Sequence, residues 1–236
     1  MRAGLWRHGR RGRRSARRRG AAAQHCQRQR RQQKFPTPTH AHKLTQMIIR
    51  NTTRRWGAIA QLLHWLIVVL IITQFTLATL FDDLPPGARK LGLLARHKSV
   101  GITILMLALV RLAWRSANPK PPLPDTLRPW ERTLARLTHA LLYVLLFAVP
   151  VAGWTMSSAR GFPVSWFGLF TLPDLVPKNK MLYELLVTTH GVLAWTLGVV
   201  AIIHMLAALK HHFVLKDDVL RRMLPLTSNK TQGSER

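Results

Sequence analysis

The 236-residue chain carries 36 Lys and Arg against 9 Asp and Glu, a formal charge of +27, and 47% of its residues are hydrophobic. Its one cysteine, Cys26, excludes a disulfide scaffold. Charge and apolar character are segregated along the chain, and the long uncharged runs exclude an ordinary water-soluble globular domain.

Residues 1–46 hold 12 Arg, 2 Lys and no acid, which is +14 of the total and leaves +13 for the rest. The run RHGRRGRRSARRRG has neither helical nor strand periodicity. It offers too little apolar surface to offset the entropy of ordering it, so a basic disordered leader is expected. Arginine clusters neutralise phosphates, but no binding motif and no interleaved aromatics accompany this one, and no nucleic-acid partner is expected. A secretory signal is not expected either, because no apolar run follows until residue 58. Met47 is the expected biological start.

Four segments are long and apolar enough to cross a bilayer, which takes about 20 helical residues. They run over about residues 58–80, 93–114, 134–156 and 183–209. Any one alone is compatible with a buried core helix. Four in succession, with little amphipathic sequence between them, predict an all-α integral membrane four-helix bundle. The resulting organisation is a leader over 1–46, a helical domain over 47–225 and a polar tail over 226–236.

Orientation follows from the cations in the connections. Arg50, Arg54 and Arg55 precede the first span, and Arg115, Lys120, Arg128 and Arg132 fill the second connection. Lys210, Lys216, Arg221 and Arg222 follow the fourth span. The first and third connections hold Arg89, Lys90, Arg96, Arg160, Lys178 and Lys180. The bias predicts both termini on the cytoplasmic side.

Eleven histidines are the most informative feature. An imidazole in hydrocarbon is costly unless it is partnered, so each intramembrane histidine is a candidate functional group. A lone one commonly serves as an interhelical hydrogen-bonding group. His190 and His204, however, are 14 residues apart on one span. That is about four turns, so both project from nearly the same face, roughly 21 Å apart. In an antiparallel bundle His64 matches His204 in depth near the inner side, and His97 matches His190 near the outer side. Four histidines thus sort into two pairs at two levels. Neutral imidazoles on facing helices can hold a haem iron, and bundle cores are where such sites are built. A His-lined ion or metal transporter is the alternative from another class. It would normally also use intramembrane acids, and Glu184, at an outer edge, is the only acid inside a span. His139 lies at the inner depth and ranks third there, as another ligand, a propionate partner or a quinone contact. His211, seven residues after His204, suits a quinone carbonyl or a haem propionate, or is simply interfacial.

The segments QLLHWLIVVL, LLARHKSVGITIL, LTHALLYVLLFAVPVAGW, YELLVTTHGVLAW and IIHMLAALKHHFVLKDDVLRRMLP resemble the bacterial cytochrome b561 family of four-helix, di-haem b proteins. The resemblance covers about residues 54–225, and the ending HHFxxKDDxLxRMxP is among its most specific parts. It implies two haem b groups, the inner one on His64 and His204 and the outer one on His97 and His190. It also implies a multi-pass protein of the bacterial inner membrane that passes electrons to ubiquinone, with periplasmic superoxide or a redox partner protein as donor. Relatives that serve as cytochrome subunits of hydrogenases and dehydrogenases make a membrane anchor the alternative. The leader departs from the family pattern. Haem propionates need nearby cations. Arg111 and Arg115 are the inner candidates and Arg160 the outer one, though snorkelling explains Arg111 equally well. His211 and Lys210 are the candidate quinone contacts, and Lys98 and Arg96 would attract an anionic donor.

Overall fold

The computed structural model describes residues 50–52, 55–122 and 127–224; the leader over 1–46 and the tail over 226–236 lie outside the described residues. Four helices follow in order: α1 (Ala58–Asp82), α2 (Ala88–Ala117), α3 (Pro129–Arg160) and α4 (Lys180–Phe213). All four are long and apolar enough to cross a membrane. The observed architecture is the all-α membrane bundle that the hydropathy pattern predicts. The end at which α1 and α3 start, and α2 and α4 stop, is here termed the inner end.

Each helix overruns its apolar span. α3 adds Pro129–Thr133 before its span and Ser157–Arg160 after it. Helical backbone satisfies its own hydrogen bonds at any depth, and long cationic side chains reach water from a helix end. Local chemistry fixes the ends. Pro129 occupies the first position of α3, where its missing N–H costs nothing. The Glu131 carboxylate accepts the Arg128 N–H at 2.9 Å. Gly161 stops α3 in the left-handed region at φ 77°. Asn179 caps α4 by accepting the Leu182 N–H at 3.0 Å.

The connection between α3 and α4 holds a hairpin that no periodicity signals. β1 (Val164–Trp166) pairs antiparallel with β2 (Phe170–Leu172), Val164 opposite Leu172. It is docked on α2: the Ser99 hydroxyl accepts the Phe167 N–H at 3.0 Å, and Trp166 Nε1 donates to Thr103 Oγ1 at 3.1 Å.

Ile67, Val100, Ile104, Ala108 and Leu146 form a buried cluster joining α1, α2 and α3, with Leu70, Ile71 and Phe147 packed around it. Large apolar side chains on the outside stay exposed, among them Val192, Trp195, Val199, Ile202 and Leu206 on α4. Such a surface suits lipid rather than water. Close packing joins α1 to α2, α2 to α3 and α3 to α4, while α4 stands off from α1 and α2. At the inner end Arg55, before α1, and Gln61 and Trp65, on its first turns, meet the residues after α4: Arg55 Nη2 donates to the Leu224 carbonyl at 2.9 Å, Gln61 Nε2 to the Arg222 carbonyl at 3.0 Å and Trp65 Nε1 to the Met223 carbonyl at 2.9 Å.

Candidate functional site

Histidine side chains cross the gap between α4 and its neighbours. His64 on α1 and His204 on α4 have ring centroids 6.4 Å apart with planes at 87°. His97 on α2 and His190 on α4 are 6.3 Å apart at 74°. The pairs occupy two levels because His190 and His204 share a face of α4 about four turns apart. Two imidazoles bound through nitrogen to opposite sides of one metal atom, with bonds of about 2 Å, have ring centres roughly 6 Å apart. Both pairs have that spacing, across a gap between helices, so the residues present fit a planar macrocycle with an axial imidazole on each side. Among the described residues no three His, Cys, Asp or Glu side chains converge as a bare metal ion would require.

The outer level is set by α3 as much as by α4. His190 Nδ1 lies 3.0 Å from the Val149 carbonyl, which orients the ring and leaves Nε2 free. Gly153, one turn beyond Val149, makes room for that ring: a Cβ there would lie 2.9 Å from His190 Cε1. His97 Nδ1 is buried without a hydrogen-bond partner, and the Phe81 ring stands edge-on to its imidazole at 5.3 Å. Lys98 leans over Phe162 and reaches the Pro163 carbonyl at 3.4 Å. Arg160 is exposed and stacks on Tyr183 at 4.7 Å, where no described contact joins it to the outer pair.

The inner level holds a third imidazole. His139 on α3 is 5.0 Å from His204 at 79°, closer than an axial pair on one metal would be. Its Nδ1 lies 2.6 Å from the Ala135 carbonyl, so its own helix occupies it. Arg111 is half-buried against α1 and donates Nη1 to the Ala60 carbonyl at 2.8 Å, one turn before His64. That bond ties the guanidinium to the α1 backbone. His211 is tied to Asp217 at 2.6 Å between Nδ1 and Oδ2, while Lys210 is exposed.

Sequence reasoning therefore names the five histidines of these two levels, and His211 and Arg111 near the inner one. It does not find Val149 or Gly153. A glycine or carbonyl on a neighbouring helix acquires a role only through helix packing, and a small residue inside an apolar span is its only signal.

The family model described as prokaryotic cytochrome b561 matches residues 55–226. Cytochrome b561 homolog 2 of Escherichia coli is 36% identical over 190 residues, 78% of this chain and 98% of the relative. A protein of Yersinia pestis named probable superoxide oxidase CybB is 34% identical over 163 residues, 69% of this chain and 92% of the relative. A cytochrome b562 of Cereibacter sphaeroides is 28% identical over 167 residues, 69% of this chain and 90% of that protein. Four membrane-spanning helices, histidines paired at two levels and these matches agree: the chain belongs to the prokaryotic cytochrome b561 family of haem-binding membrane electron-transfer proteins.

Proposed function

We propose that this chain is a di-haem b protein of the bacterial inner membrane that takes electrons at its outer face, with superoxide as donor, and delivers them to ubiquinone near the inner end. The observation that carries the reading is the pair of histidine couples, 6.4 and 6.3 Å apart, at two levels of one bundle. His64 and His204 are the inner haem ligands in this proposal, and His97 and His190 the outer ones. Bound haem iron supplies reversible one-electron chemistry.

The chain's own groups do the rest. The Val149 carbonyl holds His190 so that Nε2 points across the gap. With both histidines of a pair holding the haem, a donor would react at the rim of the site. Lys98, and Arg96 beside it, raise the local concentration of an anionic donor there. Arg111 is the inner propionate partner. At the inner end the His211 imidazole, held through Nδ1 by Asp217, keeps Nε2 for a quinone carbonyl, with Lys210 next to it.

Pyridine haemochrome and iron assays of the purified chain test the reading: two haems per polypeptide are expected. His204→Ala should lose the inner haem and His190→Ala the outer one, and either variant keeping both overturns the ligand assignment. His139→Ala should keep both. Rapid mixing with superoxide separates this role from that of an anchor subunit. Haem reduced only by a co-purifying dehydrogenase would make the chain a relay for that partner. A chain that binds no haem but carries ions through its histidines would support the transporter alternative.

A further inference from the structure

Five polar side chains outside the histidine pairs surround one small cavity at the inner end. Asn51 precedes α1, Arg111, Trp114 and Arg115 lie on the last turns of α2, and Tyr143 lies on α3; Trp56 and Ala60 close the wall. The cavity is about 10 Å³, the room of about one water-sized atom, so it takes a single oxygen and not a quinone ring.

Its lining is one-sided. Asn51 is 5% exposed, and its Oδ1 accepts the Gly57 N–H at 3.0 Å, which leaves Nδ2 facing elsewhere. Asn51 Nδ2, Trp114 Nε1 and the Tyr143 hydroxyl are all buried without a hydrogen-bond partner. Tyr143 is close to the Arg111 guanidinium, itself only a donor, so the Tyr143 hydroxyl hydrogen stays available to a further acceptor. Arg115 lies 5.7 Å over both the Trp56 and Tyr143 rings. The described ion pairs include neither Arg111 nor Arg115. An amide N–H₂, an indole N–H and a guanidinium can only donate. A single water accepts about two hydrogen bonds and brings no charge. Two unpaired cations within a membrane-spanning helix call for an anion.

We propose that this cavity is a carboxylate cradle for a propionate of the inner haem, with Asn51, Trp114 and Tyr143 as neutral donors and Arg111 and Arg115 as counter-charges. The inference rests on the haem reading above. Its placement agrees with that reading: Ala60 and Arg111 adjoin the cavity one turn from His64, and Arg111 is within electrostatic reach of both His64 and His204. The cradle ties the segment before α1 to the inner site, so Asn51 is a positioning residue well outside the histidine pairs.

The test uses the haem-loaded full chain. Trp114→Phe and Tyr143→Phe each remove one polar atom and preserve the ring, and Asn51→Ala and Arg115→Gln extend the set. Withdrawing donors leaves more negative charge near the iron and favours the ferric form. The inner haem's midpoint potential should therefore shift downward while the outer one stays put. A redox-difference infrared spectrum should show the propionate carboxylate band displaced in Trp114→Phe. Two haems with both potentials and the carboxylate band unchanged in the two Phe variants would overturn the cradle and leave a buried water in its place. A wild-type chain without haem overturns the haem reading itself, a distinct result seen before any variant is made.

Discussion

Gly153 shows how a single missing methyl group serves the outer site. Alanine is ordinarily favoured over glycine inside a helix by about 0.5–1 kcal/mol. At Gly92 the added Cβ would meet nothing within 4 Å, so Gly92→Ala should gain that amount, read as a higher melting temperature. At Gly153 the same Cβ would press on an imidazole already held by the Val149 carbonyl at 3.0 Å. Gly153→Ala should therefore push His190 off its hydrogen bond and lower the outer haem's occupancy relative to the inner one, measured by spectrally resolved redox titration. Equal occupancy of both would show that the ring slides aside at no cost. The contrast marks what is legible at this scale. A histidine in an apolar span announces itself, because few structural reasons keep an imidazole in hydrocarbon. Gly153, Asn51 and the Val149 carbonyl announce nothing, since each matters only through the face of another helix. Arg160 illustrates the converse. Its sequence position suits an outer propionate, yet its guanidinium is stacked on Tyr183.

Among elements, the helices were readable because apolar runs of this length have few alternatives, and only their ends were underestimated. The hairpin over Val164–Leu172 was not readable. Its two strands are three residues each, too short for a period to emerge. Its turn uses Phe167 and Gly168 at φ 49° and 76°, and Phe167 is a poor residue for the left-handed region. What holds it is tertiary. Ser99, 2% exposed, accepts from the Phe167 N–H at 3.0 Å and lies 3.0 Å from the Ser165 carbonyl. Ser99→Ala removes the acceptor of the Phe167 N–H, a cost of about 0.5–1.5 kcal/mol for a part-buried hydrogen bond. Hydrogen exchange over residues 164–172 should accelerate in Ser99→Ala, with exchange in α1 unaffected. If the hairpin amides keep their protection, the strand pairing stands without α2.

Across the whole molecule the described ends of the chain meet at one face. Arg55, Gln61 and Trp65 bind the carbonyls of Leu224, Arg222 and Met223, and Arg222 Nη1 reaches the Pro122 carbonyl at 3.1 Å. An even number of antiparallel spans requires this, and it leaves open which side of the membrane that face addresses. Charge decides. Eleven Lys and Arg flank the bundle at the inner end against six in the two outer connections. Insertion retains positively charged connections in the cytoplasm. A fluorescent protein fused after Arg236 should therefore mature and fluoresce in the cytoplasm, while alkaline phosphatase at the same point stays inactive. The opposite pattern would invert the bundle. It would place the His64–His204 pair toward the periplasm and reverse the proposed direction of electron flow, without altering a single contact within the bundle. Fusions to the chain starting at Met47 should behave identically. The expected orientation rests on the cations of the connections alone, and the +14 of residues 1–46 is not needed for it.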